Sequence, residues 1–189
     1  MRIVVPAVET YGIYRETLKT LLDVDCCIYL LPKSVDNADA QMRKYRDEAY
    51  YRLFTELWVD NQDFLIIEPD MVVQPQFIQE VEQCRELWCV RTYSCSDDKS
   101  QQIVALGFAR FSAELMEQLP QLPQRLLMHA EDGTASCPWW SLDTRIYEEL
   151  IQKHQPCIHG TIQHLHDYAK YGTNREKASV AHSIPMRFA

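Results

Sequence analysis

The run Asp63-Phe64-Leu65-Ile66-Ile67-Glu68-Pro69-Asp70 constrains this chain more than any other stretch. Four consecutive large apolar residues are too few for a buried helix and suit a strand covered on both faces, as in a largely parallel sheet. The run stops at two carboxylates one residue apart, so the predicted strand delivers Glu68 and Asp70 together at its C-terminal end. In open α/β sheets that end is where ligands gather. Two carboxylates at this spacing can both reach one hard cation, and a cation so held can grip a diphosphate. A solvated acidic turn is the competing reading of the same residues.

The flanking sequence supplies a sheet for this strand. Ile3-Val4-Val5 predicts a first strand that stops at Pro6, followed by a loop through Glu9-Thr10-Tyr11-Gly12 and a helix over 14–22 with Leu18, Leu21 and Leu22 at helical spacing. A continuous apolar run over 26–31, ended by Pro32, predicts a second strand. A polar loop then leads into a helix on which Tyr45, Ala49, Leu53 and Leu57 recur at steps of four. Beyond the acidic motif, the pattern predicts a helix over 75–85 and strands over 88–93 and 103–108. It also predicts a helix over 112–118 with Ser112 as its N-cap. Residues 120–138 are mixed and proline-containing; Ser141-Leu142-Asp143 precedes a helix through Ile151, and Cys157-Ile158-His159 reads as a last strand. This alternation predicts an α/β fold.

With 189 residues, the chain suits a single domain over 1–189, with a mobile C-terminal tail from about 168. No internal repeat or low-complexity tract interrupts it. No apolar run approaches the ~18 residues a membrane helix needs, and the N-terminus lacks the apolar stretch of a secretion signal, so a cytoplasmic location is expected. Seven cysteines sit mostly in apolar stretches, as expected of reduced thiols without disulfides. The formal charge of −8 argues against a broad basic face for nonspecific nucleic-acid binding and is compatible with carboxylates that hold a cation.

The stretch from Asp63 through Glu68-Pro69-Asp70 to Met71-Val72-Val73 resembles the strand and acid-x-acid metal motif of the GT-A glycosyltransferases, family 2-like members included. Val4-Val5-Pro6-Ala7 looks like that family's opening strand and nucleotide loop, and Asp143 within Trp139-Trp140-Ser141-Leu142-Asp143 resembles its later acidic position. The resemblance implies a GT-A fold: a Rossmann-like, mixed but mostly parallel central sheet flanked by helices. It also implies transfer of a sugar from a nucleotide-diphosphate donor to an acceptor hydroxyl, with Mn2+ or Mg2+ as cofactor. Pro6, Ala7, Glu9, Thr10, Arg43, Arg46, Glu68 and Asp70 would then serve the donor. Glu68, Asp70 and a later histidine, His166, would hold the metal, and Asp143 would deprotonate the acceptor. This chain departs from the pattern in having Glu first and Pro69 between the acids. At 189 residues it is also expected to be without the extra domain that many members use for acceptors.

Other residues carry two readings each. Asp143 suits a general base if ionised and within reach of the acceptor, or a helix cap, since it lies before a helical pattern. His164 and His166 would point the same way along an extended stretch, as ligands or as residues packed on aromatic neighbours. Arg43, Lys44 and Arg46 suit phosphate binding or a solvated helix face. Lys170, Arg175 and Lys177 suit a closing tail or a disordered end. Trp139 and Trp140, with Phe108 and Phe111, suit an acceptor wall or the core. A zinc site is disfavoured, because no Cys-x-x-Cys pair accompanies the histidines and Cys84 and Cys89 are loosely spaced. The acceptor is left open among a saccharide, a small metabolite, a protein and a modified nucleic-acid base. Two other functions fit the same acids: a nucleotide-sugar binding module without turnover, and a metal-dependent phosphate-ester hydrolase or nucleotidyltransferase.

Overall fold

A computed structural model of the chain describes residues 1–8, 13–31, 48–94, 102–165 and 186–188. Its core is a mixed sheet in the order β11-β2-β1-β3-β6-β5-β9. These strands are β1 (Arg2–Val8), β2 (Cys27–Leu31), β3 (Phe64–Ile67), β5 (Trp88–Thr92), β6 (Phe108–Phe111), β9 (Cys157–Thr161) and β11 (Met186–Phe188). β6 alone runs against its neighbours β3 and β5; the pairs β11–β2, β2–β1, β1–β3 and β5–β9 are parallel. The expected α/β architecture, a mixed sheet flanked by helices, is what the structure shows.

Side chains leave the strands alternately for two apolar layers. Phe64 and Ile66 join one layer with Trp88, Phe111 and helices α2 (Ala49–Val59), α4 (Ala113–Gln118), α5 (Leu122–Arg125) and α6 (Trp139–Ile151). Leu65 and Ile67 join the other with Ile3, Val5, Cys89 and helices α1 (Arg15–Leu21) and α3 (Pro75–Gln83). Ala49, Leu53 and Leu57 are buried at their steps of four along α2, as its pattern predicted; Tyr45 lies outside the described residues. No helix among the described residues is long and apolar enough to cross a membrane.

The structure corrects several expectations. β1 continues through Pro6 and Ala7 to Val8 rather than stopping at Pro6. Its ladder with β3 ends at Val4↔Ile66, so Pro6 sits where β1 is paired only with β2, and a missing N–H is tolerated there. The strand predicted over 103–108 begins instead at Phe108 and ends at Phe111; Ile103 makes only an isolated bridge to Tyr93. Phe108 and Phe111 are core residues and form no acceptor wall: both are fully buried, with Phe111 stacked on Trp88 at 6.0 Å and tilted against Phe64 at 5.1 Å. The segment 120–138 holds α5 and a small hairpin of β7 (Met128–His129) and β8 (Ala135–Ser136). Ser112 caps α4 as predicted, its side chain accepting from the Leu115 N–H.

Candidate functional site

Glu68-Pro69-Asp70-Met71 is a turn closed by the Met71 N–H on the Glu68 carbonyl at 3.3 Å. Pro69 takes the second position, where its fixed φ is favourable, so the proline between the acids has a local conformational reason. Three strut-like bonds hold the turn: Glu68 N–H to Gly107 O at 2.9 Å, Tyr14 N–H to Pro69 O at 2.9 Å and Leu165 N–H to Asp70 O at 2.9 Å. Glycine at 107 gives Met71 and Tyr93 room, because a Cβ there would lie 2.3 Å from the Met71 Cε and 2.5 Å from the Tyr93 ring. The turn leads into β4 (Met71–Val72), which pairs antiparallel with β10 (Gln163–His164), His164 opposite Met71.

That pairing brings His164 Nε2 to 3.0 Å from Asp70 Oδ2, with the imidazole packed against Tyr93 at 5.0 Å. The other oxygen, Asp70 Oδ1, is buried and has no hydrogen-bond partner among the described residues. Glu68 keeps some exposed surface, but its carboxyl is densely enclosed by protein. Burial, then the Asp143 and Asp70 charges, push its pKa well up, opposed by a 3.4 Å hydrogen bond from the Tyr50 hydroxyl. Asp143 is pushed up to about 6 by burial, while the Leu106 N–H donates to its Oδ1 at 3.1 Å and works the other way. Burial followed by the Glu68, Asp143 and Tyr93 charges raises the Tyr50 phenol well above its usual value. Like charges and burial thus act on one compact group, a pattern concentrated at functional sites.

Asp143 does not cap a helix. α6 starts at Trp139 with Pro138 in the N-cap position, so Asp143 lies inside the helix and projects toward Leu106 and Glu68. The structure therefore gathers Glu68, Asp70 and Asp143, and adds His164 and Tyr50. His164 is a candidate from its extended stretch, but its pairing with Asp70 comes only from the register of β10 on β4; Tyr50 gave no signal beyond its place on the apolar face of α2. Pro6 and Ala7 are buried in β1. Trp139 and Trp140 form the first turn of α6, and their side chains lie outside what the structure describes. Glu9, Thr10, Arg43, Lys44, Arg46, His166, Lys170, Arg175 and Lys177 also lie outside the described residues.

The unpartnered Asp70 Oδ1 and the crowded Glu68 carboxyl would both gain from one positive charge, although among the described residues only Cys84, Cys89 and His159 bring three ligand atoms within 4.8 Å of one another.

No family profile matches the chain, and no curated protein does. Among solved structures, a Desulfovibrio desulfuricans protein assigned as a nucleotide-diphospho-sugar transferase superposes with a TM-score of 0.50 at 9% identity, covering 94% of this chain and 90% of that one. A glycosyltransferase involved in glycosylation of the major capsid of PBCV-1 gives 0.45 at 12% identity, over 87% and 93%. The galactosyltransferase LgtC, solved with donor and acceptor sugar analogs, gives 0.40 at 9%, over 97% and 96%. The first of these shows a likeness of fold over most of both chains.

Proposed function

We propose that this chain is a metal-dependent glycosyltransferase that moves a sugar from a nucleotide-diphosphate donor to an acceptor hydroxyl. The observation that carries the reading is the convergence of Glu68, Asp70, Asp143 and His164 beyond the C-terminal end of β3. The resemblance of the acidic motif and the nucleotide-diphospho-sugar transferase of like fold support it.

Asp70 and Glu68 would hold Mn2+ or Mg2+, which when bound supplies positive charge against the diphosphate that leaves the sugar. His164 orients Asp70 through its 3.0 Å contact and leaves Oδ1 as the oxygen offered to the cation. Asp143 accepts the acceptor's hydroxyl proton. Its pKa near 6 keeps it ionised at neutral pH yet basic enough to take that proton, as general-base catalysis requires. The Leu106 N–H fixes the orientation of this carboxylate. Pro6, Ala7, Glu9, Thr10, Arg43 and Arg46 are proposed as donor contacts, Trp139 and Trp140 as acceptor contacts, and His166 as a further metal ligand.

The test is release of nucleoside diphosphate from a panel of donor sugars with and without manganese. Manganese-dependent release that vanishes in Asp70→Ala supports the reading. Release unchanged in Asp70→Ala contradicts it.

A further inference from the structure

A second cluster of ligating side chains lies at the other end of the sheet. β5 is parallel to β3 because each is antiparallel to β6, so the start of β5 lies away from Glu68. Cys89, near that start, is fully buried, and Cys157 is its direct partner on β9. His159 follows two residues along β9 and shares the face of Cys157. Cys84, the residue that ends α3 in an extended conformation, lies over them.

The ligand atoms of Cys84, Cys89 and His159 all lie within 4.8 Å of one another. Cys84 acts electrostatically on both Cys89 and Cys157, so Cys157 lies beside the group of three although not within it. His159 Nε2 is buried and has no hydrogen-bond partner among the described residues. Tetrahedral zinc with S and N ligands sets its donor atoms about 3.5–4 Å apart, a spacing compatible with three ligand atoms that lie within 4.8 Å of one another.

We propose that Cys84, Cys89 and His159 form a zinc site that fastens α3 and the edge strand β9 to β5, with the neighbouring Cys157 moving in as the fourth ligand. Three thiols and an imidazole select a borderline-soft cation over Mg2+ or Mn2+. Arg110 stands against Cys89, and Arg91 and Arg110 act electrostatically on His159. Both guanidiniums are buried, and each already has a carboxylate partner, Arg91 in Glu80 and Arg110 in Asp63. Zinc binding displaces the thiol protons to solvent, so uptake is proton-coupled and involves no redox step. The staple also serves the acidic site, since β9 leads directly through Ile162 into His164.

Chain purified under reducing conditions without chelator is assayed for zinc by elemental analysis, then loaded with Co2+ and read by absorption. One zinc per chain and a thiolate-to-cobalt charge-transfer band are expected, both retained in Asp70→Ala and both lost in Cys84→Ser and His159→Gln. Far less than one zinc with no charge-transfer band overturns the proposal, as does zinc that is lost in Asp70→Ala but kept in Cys84→Ser. A disulfide among these cysteines in zinc-free protein overturns it too. If the variants fail to fold, the cobalt spectrum of the unmodified chain decides alone.

Discussion

Asp63 and Glu68 bracket the same four-residue strand, and their surroundings treat them oppositely. Burial raises the Asp63 pKa, but the Ala113 N–H at 2.9 Å and the Arg110 guanidinium overcome it, and the carboxyl ends below its usual range. At the other end, burial and the charges of Asp143 and Asp70 push Glu68 up, with only a long Tyr50 hydrogen bond against them. One end of β3 has its charge neutralised by the fold; the other is left crowded with like charge. A fold that can satisfy a buried carboxylate and does not do so at one place marks that place for a ligand.

Asp143→Asn should have the largest effect on turnover. The amide still accepts from the Leu106 N–H but cannot take a proton, so kcat should fall by about 10²–10⁴ while donor binding persists. Steady-state kinetics beside a donor titration separates the two.

The comparison also predicts a pH dependence of stability. Asp143 is raised from 3.8 to about 6 in the folded chain, so the fold favours its protonated form. Its contribution is neutral at acid pH and becomes destabilising as pH rises from about 4 past 6, by about 3 kcal/mol. Glu68 acts in the same direction. Asp63 is lowered, so it stabilises above its unfolded pKa and loses that stabilisation as pH falls. Denaturant melts of metal-free protein between pH 4 and 8 should show the loss on raising pH, and saturating manganese should suppress it.

His164→Ala removes the partner of Asp70 Oδ2 and should weaken manganese binding by about 10–100-fold, measured by calorimetry. Gly107→Ala should cost about 1–3 kcal/mol, because Met71 and Tyr93 must move to admit the methyl group. Ser112→Ala, at the satisfied end of the strand, should cost only about 1 kcal/mol by removing the cap on Leu115 and leave manganese binding unchanged.

The strand between the two acids was legible because continuous burial writes itself as continuous apolar sequence: Phe64–Ile67 appears as read. The next strand was misplaced because Ile103 to Leu106 looks more strand-like than Phe108–Phe111, which contains Arg110. That arginine can be buried because Asp63 and the Cys84 and Glu86 carbonyls receive it, partners that hydropathy cannot reveal. The capping reading of Asp143 arose from Ser141 and Asp143, yet Pro138 starts the helix. Cys84 and Cys89 looked too loosely spaced for a metal because their histidine arrives from β9, a neighbour only in the folded sheet. Local chemistry shows in sequence; chemistry assembled by strand order does not.

The most direct test of the central claim is thermal unfolding of the chain against nucleotide-diphosphate sugars, each with and without manganese, for the unmodified protein and Asp70→Ala. A donor held at 100 times its Kd stabilises the folded state by about 2.7 kcal/mol, enough to read as a clear rise in Tm. At least one donor should give such a rise, dependent on manganese and absent in Asp70→Ala. No rise with any donor, or the same rise in Asp70→Ala, would contradict it.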